Sequence, residues 1–118
     1  MVTKKSLKKK ADKVFSLWIR HKFGYCQLKG LDSIRCSSQL QNMHIESRGR
    51  LGIRYNPKNA LCGCSGHHVW YTFHPSDFDA LVKKHFPKQW KYVEAHKNIR
   101  ANYTIEDYQK IIKKFAIE

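Results

Sequence analysis

Residues 62–68 have the sequence CGCSGHH, the densest group of metal-ligand side chains in a chain of 118 residues. The spacing from Cys64 to His67 suits two ligands that converge on one tetrahedral ion from a tight knuckle. Two further cysteines, Cys26 and Cys36, lie upstream with nine residues between them. Clustered cysteines with nearby histidines favour a metal site over disulfides where no export signal is present. The pattern therefore predicts a structural Zn²⁺ site.

The fourth cysteine, Cys62, is separated from Cys64 by one residue, which makes it difficult for both thiols to bind one ion without strain. We expect Cys62 to be a packed thiol. If Cys36 does not bind the metal, Cys62 is the alternative fourth ligand. A further alternative is that some of these cysteines are small buried apolar residues with no metal.

The charge of the chain indicates the class of its partner. Lys and Arg number 23 against 9 Asp and Glu, a formal net charge of +14 on 14.0 kDa. Such an excess favours a polyanion, above all nucleic acid, but it does not separate a simple binder from an enzyme. Hydrophobic residues make up 42% of the chain, too many for a disordered protein. No uncharged stretch approaches the ~20 apolar residues that span a bilayer, so we expect a cytoplasmic protein without a membrane partner.

The chain is expected to form one domain after a basic arm. Residues 1–10 contain five lysines and no acidic residue, which predicts a disordered or phosphate-binding arm. Residues 11–118 are then a single domain, with a core over 25–86 and a helical extension over 87–118. Apolar spacing, caps and prolines predict four helical segments: from about Lys8 to Lys22 with Gly24 ending it, from Pro75 with Ser76 as N-cap, after Pro87, and from Thr104.

A hairpin is predicted between the first two helices. Residues 40–47 alternate well enough for a strand, and residues 51–55 are its expected partner. Residues 56–66 are rich in turn formers and are predicted to be a loop. A short helical turn is expected to begin at His67 or His68. Helices around a small hairpin and a metal knuckle predict an α+β domain.

Three residues around this hairpin could carry out phosphodiester hydrolysis. At neutral pH the imidazole of His44, in the strand, can take a proton from water. His68, at the start of a helix, can bind a divalent ion that stabilises charge on a phosphate. Asn59, between them, can bond the backbone or the histidine base and fix its orientation.

Residues 26–78 resemble the HNH endonucleases, in particular the small zinc-bearing type common in phages and prophages. The motifs that carry the resemblance are LQNMHIESR at 40–48 and RYNPKNALCGCSGHH at 54–68. The family implies a ββα-metal, treble-clef-like core with a zinc knuckle, flanked here by N-terminal and C-terminal helices. It also implies a role for each matched residue: His44 as general base, Asn59 as orienting residue, His68 as ligand of Mg²⁺ or another divalent ion, and Cys26, Cys36, Cys64 and His67 as the structural zinc ligands.

At one position the chain departs from many HNH enzymes. They have Asp or His directly before the base as a second metal ligand, whereas this chain has Met43. We expect the second ligand to be His74 or Asn56, or else waters and the DNA phosphate. Basic side chains near the base are expected to hold phosphates. These candidates for DNA binding are Arg48, Arg50, Arg54 and Lys58.

The sequence thus predicts a metal-dependent DNA endonuclease of HNH type that acts in phage or prophage DNA metabolism, in the cytoplasm of a bacterial host. A monomer would nick one strand, and a homodimer could cut both. The alternative is a non-catalytic zinc-containing protein that binds DNA or assists recombination.

Overall fold

The computed structural model describes residues 2–47 and 49–117, which contain five α-helices, two short 3₁₀ helices and one two-stranded sheet. The predicted α+β class is confirmed. No helix in these residues is both long enough and apolar enough to cross a membrane. The elements in chain order are α1 (Lys4–Phe23), β1 (Leu40–His44), 3₁₀ helices at Leu51–Ile53 and Pro57–Asn59, β2 (Ala60–Cys64), α2 (Ser65–Thr72), α3 (Pro75–His85), α4 (Pro87–His96) and α5 (Ile105–Phe115).

The sheet pairs β1 with a different partner from the one predicted. β1 and β2 are antiparallel, with Leu40 opposite Cys64 and His44 opposite Ala60. The predicted partner strand at 51–55 is therefore wrong, and so is the loop predicted over 56–66. Every residue of β2 is buried, so its sequence lacks the polar–apolar alternation that marks a half-exposed strand.

Close packing of the sheet explains the glycine in β2. A side chain at Gly63 would collide with the sulfur of Met43 on the neighbouring strand. Without that side chain, Met43 lies across β2 and is only 3% exposed. The position that sequence reasoning treated as a turn former is therefore a contact point inside the sheet.

Helix α1 begins earlier than the sequence predicts. Thr3 caps it in a capping box with Ser6, and the helix runs from Lys4 to its C-cap at Gly24. The prediction of a disordered arm is wrong from Lys4 onward. Among the lysines, α1 carries apolar residues at every fourth position. They form a stripe that is buried against the sheet and α5. Its members are Leu7, Ala11, Phe15 and Ile19.

The C-terminal helices follow the predicted caps with one correction. The N-cap of α3 is His74 and the helix starts at Pro75, so Ser76 is not the cap. Pro87 begins α4, as predicted. Thr104 caps α5 in a capping box with Asp107. Caps are encoded locally, which is why these boundaries were predictable to within two residues.

Two layers of core cover the two faces of the sheet. Helices α1 and α5 pack on the face that carries Ala60 and Cys62. Helices α2 to α4 and the segment after α1 pack on the face that carries Met43 and Leu61. Cys62 is therefore buried in the α1–α5 layer, as expected for a packed thiol.

Candidate metal centre and the adjacent cleft

The four predicted zinc ligands lie together. The ligand atoms of Cys26, Cys36, Cys64 and His67 are all within 4.8 Å of one another. His67 Nδ1 is 3.6 Å from the sulfur of Cys26, 3.6 Å from that of Cys36 and 3.0 Å from that of Cys64. Two ligands on one tetrahedral Zn²⁺, one sulfur and one nitrogen, are about 3.6 Å apart. Three thiols and an imidazole at these distances fit a structural zinc ion.

Each ligand is positioned by a different part of the fold. Cys64 ends β2 and is the N-cap of α2, so its sulfur accepts a hydrogen bond from the backbone N of His67 at 3.4 Å. Cys26 accepts one from the backbone N of Cys64 at 3.3 Å. The loop that carries Cys36 lies close to the start of α2, where residue 66 is a glycine. A Cβ atom at this position would lie only 3.0 Å from the carbonyl oxygen of Arg35.

Two thiols of this centre, those of Cys64 and Cys36, have pKa values shifted in opposite directions. Burial raises the pKa of Cys64, but hydrogen bonds from His67 and Ser37 outweigh it and lower the value to about 6. Burial and the neighbouring thiols of Cys26 and Cys64 raise the pKa of Cys36 to about 12. A bound divalent ion removes this conflict because it stabilises every thiolate at once.

Sequence reasoning missed an acidic residue behind the centre, Asp32. Its Oδ1 lies 2.9 Å from His67 Nε2 and accepts a bond from the backbone N of Ile34, and its Oδ2 accepts one from the Tyr71 hydroxyl. Burial raises the pKa of Asp32, but these hydrogen bonds outweigh it, so the net pKa is lowered. An ionised Asp32 keeps the proton of His67 on Nε2 and leaves Nδ1 to face the thiols. The signal in the sequence was an acidic residue within the loop between Cys26 and Cys36.

A separate cleft of about 400 Å³ brings His44 and His68 together. His67 and His68 are adjacent on α2, yet one belongs to the metal cluster and the other to the cleft. The residues that line the cleft are Asp12, Phe15, Ser16, Asn42, His44 and His68.

Hydrogen bonds set the tautomer of each cleft histidine. His44 Nε2 is 3.0 Å from the carbonyl oxygen of Arg54, which can only accept, so Nε2 carries the proton. In neutral His44 the lone pair is therefore on Nδ1, the atom that can take a proton from water. His68 Nδ1 donates to Gln41 Oε1 at 2.5 Å, which places its lone pair on Nε2. That is the state in which an imidazole binds a metal.

Asn59 is fully buried and bonds the backbone rather than His44. Its Oδ1 accepts from the backbone N of Glu46 at 2.7 Å, and its Nδ2 donates to the carbonyls of Glu46 and Ile53 at 3.2 and 3.3 Å. These hydrogen bonds hold together the two ends of the segment that connects β1 to β2. Asn59 thus fixes the loop that follows His44 and does not line the cleft.

The buried guanidinium of Arg54 is not a surface group. It pairs with Asp12 through Nε at 2.9 Å and Nη2 at 2.6 Å, and the Tyr55 hydroxyl donates to the same carboxylate at 2.8 Å. The Arg54 side chain is 8% exposed. Because the guanidinium is buried and paired with Asp12, this geometry disfavours the predicted contact between Arg54 and phosphate. The backbone carbonyl of Arg54 instead accepts a hydrogen bond from His44.

The two other basic candidates within the described residues, Arg50 and Lys58, do not line the cleft. Arg50 is exposed, donates to Asn98 at 3.1 Å and faces a groove with Lys97 and Arg100. Lys58 is exposed and lies over the Tyr92 ring. Arg48 lies outside the described residues. Phosphate binding by these three residues stays a prediction.

The two expected second metal ligands are not in the cleft. Asn56 donates to the Tyr92 hydroxyl at 2.8 Å and accepts from the backbone N of Lys58 at 2.9 Å. His74 bonds the Trp70 carbonyl at 2.7 Å and stacks on the Trp70 ring. Neither side chain lines the cleft that His68 faces.

No protein-family model, curated protein sequence or solved structure matches this chain.

Proposed function

We propose that this protein is a divalent-metal-dependent DNA endonuclease of the HNH type, braced by one structural zinc ion. The observation that carries the proposal is the pair of histidines on one cleft, with the lone pair of His44 on Nδ1 and that of His68 on Nε2. One histidine is thus prepared to take a proton and the other to bind a metal. The net charge of +14 supports a nucleic acid as the substrate.

In this proposal His44 is the general base. Its Nδ1 takes a proton from water, the water oxygen bonds to phosphorus, and the bond from phosphorus to the 3′-oxygen breaks. The Arg54 carbonyl keeps the imidazole in the required tautomer. A divalent ion on His68 would stabilise the charge that develops on the phosphate and the leaving oxygen. The Phe15 ring lies beside His44, with the ring centroids 6.2 Å apart.

The alternative, a zinc-containing DNA-binding protein without catalysis, is favoured by one observation. The position of the usual second ligand holds Met43, a buried thioether, and the two expected replacements, Asn56 and His74, are engaged elsewhere. The two functions predict the same steep loss of DNA affinity with salt. Only cleavage separates them.

The test is nicking of supercoiled plasmid by zinc-loaded protein with Mg²⁺, Mn²⁺ or Ni²⁺. We expect His44→Ala to lower the rate by about 10²–10⁴-fold, the usual contribution of a general base. Zinc content and DNA affinity should not change. His85→Ala is the matched control, because His85 is exposed on α3, far along the chain from the cleft residues. Absence of nicking with all three ions, with DNA binding intact, would exclude the enzyme and leave the binding protein. Linear product without an open-circular intermediate would indicate a dimer.

A further inference from the structure

Two grooves share a wall formed by the segment that connects α4 to α5. Residues 97–101 of this segment line one groove, of about 500 Å³, and residues 102 and 103 line the other, of about 390 Å³. Leu51 lines both grooves. Because they share a side chain and a continuous run of backbone, the two grooves form one connected surface, called here the double groove.

The double groove is basic on both sides of the shared wall. Three lysines of α1 line the smaller groove, and two arginines and a lysine line the larger one. These six residues are Lys4, Lys5, Lys8, Arg50, Lys97 and Arg100. No acidic residue is among the described residues that line either groove. Lys97 pairs with Glu94 at 3.1 Å and Arg50 lies 3.8 Å from Glu46, but ion pairs on a surface are weak and leave the double groove positive.

The shared wall is fixed to the rest of the fold. The Tyr103 hydroxyl donates a hydrogen bond to the carbonyl of Leu51. Residue 52 is a glycine, and a Cβ atom at this position would collide with the carbonyl oxygen of Ile99. The segment therefore packs directly on the backbone of the 3₁₀ helix at Leu51–Ile53, which sets its position between the two grooves.

An asparagine of the segment faces a cation in each groove. Arg50 Nη1 donates to Asn98 Oδ1 at 3.1 Å, and Lys4 Nζ lies 3.5 Å from Asn102 Oδ1. Each amide oxygen is thus used by a cation, and each amide nitrogen retains N–H groups that can donate to an anion. Lysine, arginine and asparagine side chains are common partners of nucleic-acid phosphates, so the lining of the double groove suits a phosphate backbone.

The double groove lies next to the cleft of the proposed endonuclease. On α1, Lys8 lines the smaller groove and Asp12, four residues or about 6 Å further along the helix, lines the cleft. Leu51 lines both grooves, and its carbonyl accepts a hydrogen bond from the backbone N of Arg54 at 3.3 Å. The Arg54 carbonyl in turn accepts one from His44. Phosphates follow one another about every 3.4 Å along the axis of one DNA strand, so a strand in the cleft has its next phosphates near the double groove.

We propose that the double groove binds the phosphate backbone of duplex DNA beside the bond that is cut, with both grooves holding the same duplex at once. The inference rests on the proposed function for the position of the cut, but DNA binding is measured without cleavage. It gives Lys4 and Lys8 of α1 a defined contact with the duplex, whereas exposed lysines outside the double groove contribute only to the net charge.

The experiment measures how the affinity for a labelled linear DNA duplex depends on salt, by fluorescence anisotropy of zinc-loaded protein without added Mg²⁺ or Mn²⁺. Each phosphate contact contributes about 0.9 to the slope of log K against log salt concentration. We expect Lys4→Gln with Lys8→Gln to lower the magnitude of this slope by about 1.8, and Arg50→Gln with Arg100→Gln to lower it equally. The loss of affinity between about 50 and 200 mM salt then becomes roughly 10-fold smaller.

The matched control is Lys83→Gln with Lys84→Gln. It removes the same charge from exposed residues of α3, which packs on the opposite face of the sheet from α1. Its slope should equal that of the parent protein. An equal decrease in the control and in the groove variants would mean that only net charge matters, and would overturn the inference. An unchanged slope in either groove variant would mean that the two grooves do not hold one duplex together, which would also overturn it. Zinc content and circular dichroism confirm that each variant is folded.

The same measurements separate this inference from the endonuclease. Slopes that decrease as expected in a protein that does not nick plasmid would retain the double groove and reject the enzyme. Plasmid nicking by the parent protein, with the parent slope in both groove variants, would reject the double groove and retain the enzyme. Equal or tighter binding of an RNA duplex of the same sequence would overturn the assignment of the double groove to DNA.

Discussion

The Cys₃His cluster of Cys26, Cys36, Cys64 and His67 and the His44–His68 cleft meet at neighbouring residues of α2 but are built in opposite ways. In the cluster, four ligand atoms face one another at metal-binding distances, and His67 is held from behind by Asp32 and Tyr71. The cleft has few ligands and a volume of about 400 Å³. Closed sites of the first kind stabilise a fold, whereas chemistry needs an open coordination position. In the proposed function the cluster therefore stabilises the fold and the cleft carries the chemistry.

The largest loss of stability is expected from Cys64→Ser, which removes one ligand from the Cys₃His cluster. Structural zinc contributes roughly 10–16 kcal/mol of binding free energy in small domains, as much as or more than the 5–15 kcal/mol that stabilises a typical protein. We expect the variant to lose zinc and its cooperative unfolding transition, measured by metal analysis and thermal circular dichroism. Cys62→Ala is the matched control because Cys62 packs between α1 and α5. It should keep one zinc per chain, and its loss of zinc would assign Cys62 to the metal centre.

An intermediate loss of stability is expected from Asp12→Ala, which changes a residue that lines the cleft. This change removes the carboxylate that pairs with the buried Arg54 guanidinium, and breaking a buried ion pair in this way costs about 3–5 kcal/mol. Urea unfolding of the zinc-loaded protein measures the loss, and zinc stoichiometry in the folded state should stay at one. The double variant Asp12→Leu with Arg54→Met removes both charges and should recover much of the stability. A change below about 1 kcal/mol in Asp12→Ala would mean that solvent screens the pair.

Features set by chemically specific residues or by residues close in the chain could be predicted from the sequence. The cluster was predictable because Cys and His are rare, chemically specific residues, and Cys64 and His67 are close in the chain. The start of α5 was predictable because Thr104 and Asp107 cap it locally. His44 and His68 were identified through a resemblance and through their chemistry. Their tautomers, which decide what each can do, depend on bonds to Arg54 and Gln41 that form only on folding.

The errors came from residues whose partners are distant in the chain. Strand β2 is buried on both faces, so it shows no alternation and was predicted to be a loop. The prediction that Arg54 binds phosphate took no account of Asp12, its carboxylate partner 42 positions away on α1. A charged side chain is buried only where the fold provides a partner for it, and a local sequence pattern cannot show a partner that is distant in the chain.

The smallest effect, a decrease in zinc affinity, is expected from Asp32→Asn, which changes the residue that contacts His67 Nε2. The substitution keeps the shape of the side chain but removes the charge that accepts the proton of His67 Nε2 at 2.9 Å. Loss of such an outer-shell carboxylate typically weakens metal binding 10–100-fold, because the ligand histidine is less basic and less firmly oriented. We expect that decrease in zinc affinity, measured by chelator competition, while the fold at saturating zinc and the Mn²⁺ affinity of the cleft stay as in the parent protein. Asp79→Asn, an exposed change on α3, is the control. If Asp32→Asn weakened Mn²⁺ binding as strongly as zinc binding, the two sites would be one coupled unit, and the division between a stabilising cluster and an active cleft would fail.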